Sequence, residues 1–159
     1  MTWQHGADRI RSLLDTGELE RVTPDPAVAR RLLTDPGRHL TTANSAIADT
    51  TDADLAGGYQ LAYDALRKSV AALLAAQGLR ATSRVGHVAV QDAAAAQFGR
   101  TVRAFKAFGR IRRARNSFEY PDTDTGGPNL ADVHDALTVA RQALDAAKTI
   151  LDQDVLTPW

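Results

Sequence analysis

The sequence predicts an all-α fold, an antiparallel helical bundle of five or six helices, from three observations. Alanine is abundant and β-branched runs are short, which favours helix. No stretch alternates strictly between apolar and polar residues, as a half-buried strand would. Leu55, Tyr59, Ala62, Leu66, Val70 and Leu73 recur at steps of three and four, and Leu130, Leu137, Leu144 and Leu151 at steps of seven. Both spacings mark one face of a helix. The connections are short, so neighbouring helices are expected to run antiparallel. The 159 residues correspond to one domain.

The elements follow in order. A first helix is expected over Ala7 to Asp15, with Ile10, Leu13 and Leu14 on one side and Gly17 weakening its end. A second covers Asp25 to Leu33, with Asp25 placed to cap it and Pro26 at the first helical position. Asp35-Pro36-Gly37 should interrupt or kink the chain, after which Leu40, Ala43 and Ile47 continue a stripe to about Ala48. Asp49 to Asp52 reads as a turn before a long helix over Ala53 to Gln77, with Gly57-Gly58 as a weak point. Gly78 stands where a left-handed residue ends a helix. Ala81-Thr82-Ser83 and Gly86 read as a loop, followed by a helix over Val88 to Phe98 and a break at Gly99. The next helix, Arg100 to Phe118, stops before Pro121 because the residue preceding a proline avoids helix. An acidic loop reaches Pro128, and Asn129 with Asp132 forms a cap for the last helix. Its leucine seam fits a bundle interior or a partner helix. The division expected is an N-terminal helical extension over 1–24, the bundle over 25–152 and a short tail over 153–159.

The chain has no cysteine, which excludes disulfides, thiolate metal sites and thiol catalysis and fits a cytoplasmic location. No apolar run approaches a membrane span, and the start lacks the pattern of a secretory signal. The 19 bases and 19 acids cancel overall, yet their placement is uneven. Residues 1–60 sum to −3, residues 61–120 to +8, and residues 121–159 to −5.

From Gly99 to Asn116 there are seven bases and no acid: Arg100, Arg103, Lys106, Arg110, Arg112, Arg113 and Arg115. Arg103, Arg110 and Lys106 share one side of a helix, while Val102, Phe105 and Ile111 can face a core. Such a run is either a solvated face or a surface contacting phosphates, where guanidinium groups grip paired oxygens. The helix ends Arg115-Asn116-Ser117-Phe118-Glu119-Tyr120. Arg115 and Glu119, four apart, suit a surface ion pair. Arg115 and Tyr120 lie about 140° apart on an ideal helix, at about 100° per residue. They converge only where the helix loosens or a second subunit supplies the partner. Asn116 can orient a phosphate or cap the helix end. His87 follows a glycine and suits a helix cap, with contact to the site as the alternative. Tyr59 and Tyr63 suit core or dimer surface, and Asp64 suits solvent or a pairing with Arg115. His5, His39 and His134 lack metal-ligand spacing, so no metal site and no cofactor are expected.

The Arg115-Asn116 pair, with Tyr120 after it, resembles the signature of the HEPN family, whose motif is Arg, a polar residue and a following His near the end of a late helix. The stretches Ala62 to Lys68, Ala72 to Arg80 and Gly86-His87 resemble the long second helix and loop of small prokaryotic HEPN proteins of toxin–antitoxin and defence systems. The resemblance spans roughly residues 25–152. It implies a helical bundle, a homodimer with two motifs facing across a cleft, and action on RNA as a metal-independent endoribonuclease. On that pattern Arg115, Asn116 and Tyr120 form the catalytic set, and Arg103, Lys106, Arg110, Arg112 and Arg113 hold the nucleic acid. It also implies an alternative, a non-catalytic module binding RNA, a nucleotide or a nucleotidyltransferase partner. Some family members are neutralised by adenylylation of a Tyr two residues after the His. The chain departs from the family in having Tyr120 in place of His and Asp122 in place of that Tyr. A phenol, with its reference pKa of about 10, donates a hydrogen bond but is a poor base at neutral pH.

Overall fold

The computed structural model describes residues 3–83, 86–120 and 126–159. Helix α4, Leu55–Ala76, is the axis of the fold. Around it pack α2 (Pro26–Leu32), α3 (Thr34–Ala46), α5 (Gly86–Phe98), α6 (Arg103–Glu119) and α7 (Leu130–Asp152). Helix α1, Ala7–Asp15, rests on α5. The helical bundle expected from periodicity is the architecture observed. Only Leu33 separates α2 from α3, so Asp35-Pro36-Gly37 lies in the first turn of α3 rather than in a break. A proline there forfeits no intrahelical hydrogen bond, and the chain bends at Leu33 instead.

Local chemistry sets the helix starts. The Asp25 carboxylate accepts from the Val28 amide at 2.9 Å, with Pro26 at the first helical position. Asp54 accepts from the Gly57 amide at 2.8 Å. Asn129 and Asp132 complete a reciprocal capping box at 2.8 and 2.9 Å. Gly58 has a packing role in α4. A Cβ there would lie 2.9 Å from Ile47 Cγ2 and 3.2 Å from Val133 Cγ1, so the glycine permits close approach of the α3 end and α7.

The core runs the length of α4. Tyr63, Leu66, Val70 and Leu73 are fully buried. On α7, Val133, Ala140, Leu144 and Ala147 are fully buried, and Leu137 and Leu151 nearly so. The leucine seam is therefore spent within the chain, chiefly against α4. Only Leu130, at its start, is exposed. Phe105, Phe108 and Ile111 face α6 inward. The Tyr59 hydroxyl donates to the Ile111 carbonyl at 3.1 Å, and burial pushes this phenol up to about 12, so it stays a donor.

The structure differs from the sequence reading at Leu79 to Ser83. In place of a plain loop, β2 (Leu79–Ala81) pairs antiparallel with β1 (Leu19–Arg21), matching Leu19 to Ala81 and Arg21 to Leu79. Three residues are too few to show alternation, and the pairing needs a partner sixty residues away. Glu20 and Arg80 clasp across it at 2.7 Å. The stretch set apart as an extension thus supplies both a strand and α1. The tail returns to the same end, where the Trp159 amide donates to the Gln77 carbonyl at 3.1 Å.

Gly78 links α4 to β2 with φ +69, and a Cβ would stand 2.6 Å from the Val22 carbonyl oxygen. Gly78→Ala should therefore cost more than about 1 kcal/mol, measured by urea unfolding. An unchanged midpoint would contradict that strain.

Candidate functional site

Four residues of α4 at helical spacing, Gln60, Tyr63, Asp64 and Arg67, place a polar stripe beside α6 and the start of α5. Tyr63 is fully buried, yet its ring forms the floor of an open concavity of about 350 Å³. Its walls are Ser83, Gly86, His87, Val88, Arg112, Arg115 and Asn116. Two side chains meet on the Tyr63 ring. The His87 ring stacks on it, with centroids 5.6 Å apart and planes 15° from parallel. The Arg115 guanidinium carbon stands 5.3 Å from its centroid, a cation–π contact. The Tyr63 hydroxyl is hydrogen-bonded to His87 Nδ1. Among the described residues, His87 Nε2 has no hydrogen-bond partner.

Arg115 is held from several sides. Its Nε donates to Gln60 Oε1 at 2.9 Å, and a terminal nitrogen pairs with Glu119 at 2.8 Å. The other reaches Asn116 Oδ1 at 3.4 Å. Gln60 in turn donates to Asp64 at 3.3 Å. A guanidinium carries five N–H groups, so N–H groups remain for a ligand in the concavity. Arg112 is anchored by Nε to Gln91 Oε1 on α5 at 2.7 Å and lines the same wall.

The electrostatics favour an anion and a neutral imidazole. Partial burial against Tyr63, reinforced by the Arg67 and Arg115 charges, pushes His87 below the usual histidine range. Burial pushes Tyr63 above the usual phenol range, although Arg115, Arg67 and Arg112 oppose that. Tyr63 therefore keeps its proton at neutral pH.

The His87 shift has a consequence for stability. With the native value depressed, the unfolded chain takes up the proton first as pH falls. This contribution is complete above about pH 6.5, the ordinary histidine value, and is lost as pH drops below it. Urea unfolding from pH 7.5 to 5 should thus show a loss of stability that His87→Gln reduces. Parallel profiles for the two proteins would contradict the assignment.

The expected site residues divide into three groups. Arg115, Asn116 and Arg112 come together on the concavity. Arg103, Lys106, Arg110 and Arg113 are exposed and lie within an arc of about 80° on the outer face of α6. Arg110 in that stripe is paired with Asp135 of α7. Tyr120 is apart from both, capping α6 at 80% exposure. Among the described residues, no hydrogen bond joins it to Arg115, and it does not line the concavity. The helix stays regular to Glu119, so Arg115 and Tyr120 do not converge within one chain. Asp122 lies outside the described residues.

Tyr63 lies in the core, as its place on the apolar face of α4 leads one to expect, and also lines the concavity. His87, for which a cap is the first expectation and site contact the alternative, lines it too. The polar stripe on α4, at steps of three and four within an apolar helix, was the legible signal for Tyr63. For His87 the signal was the resemblance carried by Gly86-His87, with no local spacing to support it, since it is 24 residues from Tyr63 and follows a loop. Among the described residues, no cluster of three or more His, Asp or Glu could hold a metal ion, and no helix is long and apolar enough to cross a membrane. No protein-family model, curated protein or solved structure matches the chain.

Proposed function

We propose that the chain is a HEPN-like protein that acts on RNA as a metal-independent endoribonuclease at the Tyr63 concavity. One observation supports this reading above the others: Arg112, Arg115, Asn116 and His87 converge on a single open concavity. Arg115 and Arg112 hold the scissile phosphate, and Asn116 orients it. In the tautomer whose Nδ1–H faces the Tyr63 hydroxyl, His87 carries its lone pair on Nε2 and takes the proton of the ribose 2′-hydroxyl. The 2′-oxygen attacks phosphorus, the bond to the 5′-oxygen breaks, that oxygen takes a proton from water, and the hydroxide left behind takes the proton held by His87. The products are a 2′,3′-cyclic phosphate and a 5′-hydroxyl. Arg103, Lys106 and Arg113 hold flanking phosphates. In a homodimer, the exposed Tyr120 of one protomer reaches the phosphate held by its partner and donates a hydrogen bond. A toxin–antitoxin or defence role, with a nucleotidyltransferase partner, belongs to the same reading.

The exposure of Tyr120, away from Arg115, favours a second reading in which the concavity binds RNA or a nucleotide without turnover. Salt dependence tests what both readings share. Binding of a short single-stranded RNA, followed by fluorescence anisotropy, should weaken with a log–log slope of about −2 or steeper if three or more phosphates are contacted. A flat response overturns both readings. Cleavage in EDTA then separates them.

A further inference from the structure

We infer that the apolar pocket on the far side of His87 is a guanine subsite, seating the base of the nucleotide whose 3′-phosphate occupies the Arg115 concavity. The inference rests on the phosphate reading above and adds the identity of the base. The pocket, of about 700 Å³, lies between α2, α4, β2 and the start of α5. Its volume is in the range of small-ligand sites. It shares Ser83, Gly86 and His87 with the phosphate concavity, so the two are contiguous. A base and its own 3′-phosphate require that kind of adjacency.

The walls are chiefly aliphatic, with Leu74, Leu79 and Val90 among them, and they suit the faces of a flat heterocycle. Six polar or charged side chains interrupt them: Thr23, Asp25, Arg67, Arg80, Ser83 and His87. Arg67 is the notable one. Among the described residues it makes no hydrogen bond, and its Nε is buried without a partner. Its nearest carboxylate oxygen, on Asp64, is 3.7 Å away, beyond hydrogen-bond reach. This guanidinium lines the pocket with donors unspent. A cationic donor requires an acceptor edge. On the Hoogsteen edge, guanine alone presents two adjacent acceptors, O6 and N7, which match a guanidinium fork. On that edge adenine and cytosine would set an amino donor against it, and cytosine's O2–N3 pair is the competitor that cytidine 3′-monophosphate tests. Asp25 also lines the pocket, and only one of its oxygens is committed to capping α2. The other can accept from guanine N1–H or the 2-amino group.

Calorimetric titration of the intact chain with guanosine, inorganic phosphate and the four nucleoside 3′-monophosphates tests this. Guanosine 3′-monophosphate should bind at least about tenfold more tightly than the other three, consistent with a two-pronged contact. Arg67→Met should abolish that preference while leaving affinity for inorganic phosphate within twofold. Ala71→Leu, which fills the pocket from α4, should weaken guanosine binding at least about tenfold, with circular dichroism confirming the fold. Equal affinity for all four nucleotides, or preference for another base, overturns the guanine subsite. If those affinities still fall in Arg115→Ala, the phosphate reading survives that failure. Conversely, guanosine binding that persists in Arg115→Ala, with no phosphate binding in the parent, supports the pocket and removes the phosphate reading.

Discussion

Arg115→Ala is expected to lower RNA cleavage in EDTA at least about 100-fold, the scale seen when one preorganised donor to a developing charge is removed. The expectation follows from how the side chain is held. Gln60, Glu119, Asn116 and the Tyr63 ring each restrain it before any ligand arrives, so little ordering remains at the moment of binding. Arg115→Lys should restore only a minor part, because an ammonium cannot keep the Gln60 contact and still present a planar fork. His87→Gln should lower cleavage but leave RNA affinity within a few-fold, since it removes a proton acceptor rather than a charge. Tyr120→Phe reports on the partner protomer, and a loss of cleavage there requires a dimer. Cleavage unchanged in Arg115→Ala would remove the concavity from the reaction. Absence of cleavage in the parent, with steep salt-dependent binding retained, would select the binding-only reading.

The second large effect concerns stability. Gln77 and Gln97 are buried, at 0% and 4% exposure, and their amides clasp reciprocally at 2.7 and 3.0 Å. Replacing one by leucine leaves a buried donor and a buried acceptor unpaired, each costing about 1–3 kcal/mol. Gln77→Leu and Gln97→Leu should each destabilise by about 3 kcal/mol in urea unfolding. The double variant should lose much less than the two together, because both unpaired groups disappear. Simple additivity would show that the pair is solvated in solution. The clasp joins the end of α4 to the end of α5, which begins with Gly86 and His87. Its loss should therefore also blunt cleavage.

Legibility in the sequence followed the range of the interactions. The helices were readable because their apolar steps repeat within a few residues. Two starts were readable because Asp25 and Asn129 cap within three positions, whereas Asp54, expected inside the long helix, is its cap. Arg115 and its Glu119 partner were readable for the same reason, being four apart on one helix. Arg112 and Arg110 were not separable in sequence, since both belong to one basic run. The bundle gave one to the concavity and the other to Asp135. The β1–β2 pair escaped notice because three-residue strands carry no period and their partners are sixty residues apart.

By itself, then, the sequence determined a helical bundle, its caps, a leucine seam and a concentration of positive charge in α6, all products of local spacing. The tertiary structure alone decided which arginines face inward, that His87 rather than Tyr120 shares the Tyr63 ring with Arg115, and that an apolar pocket adjoins them. Those outcomes depend on how α4, α5 and α6 pack. Side chains from three helices meet at one ring only after their buried faces have set the rotation of each helix about its own axis.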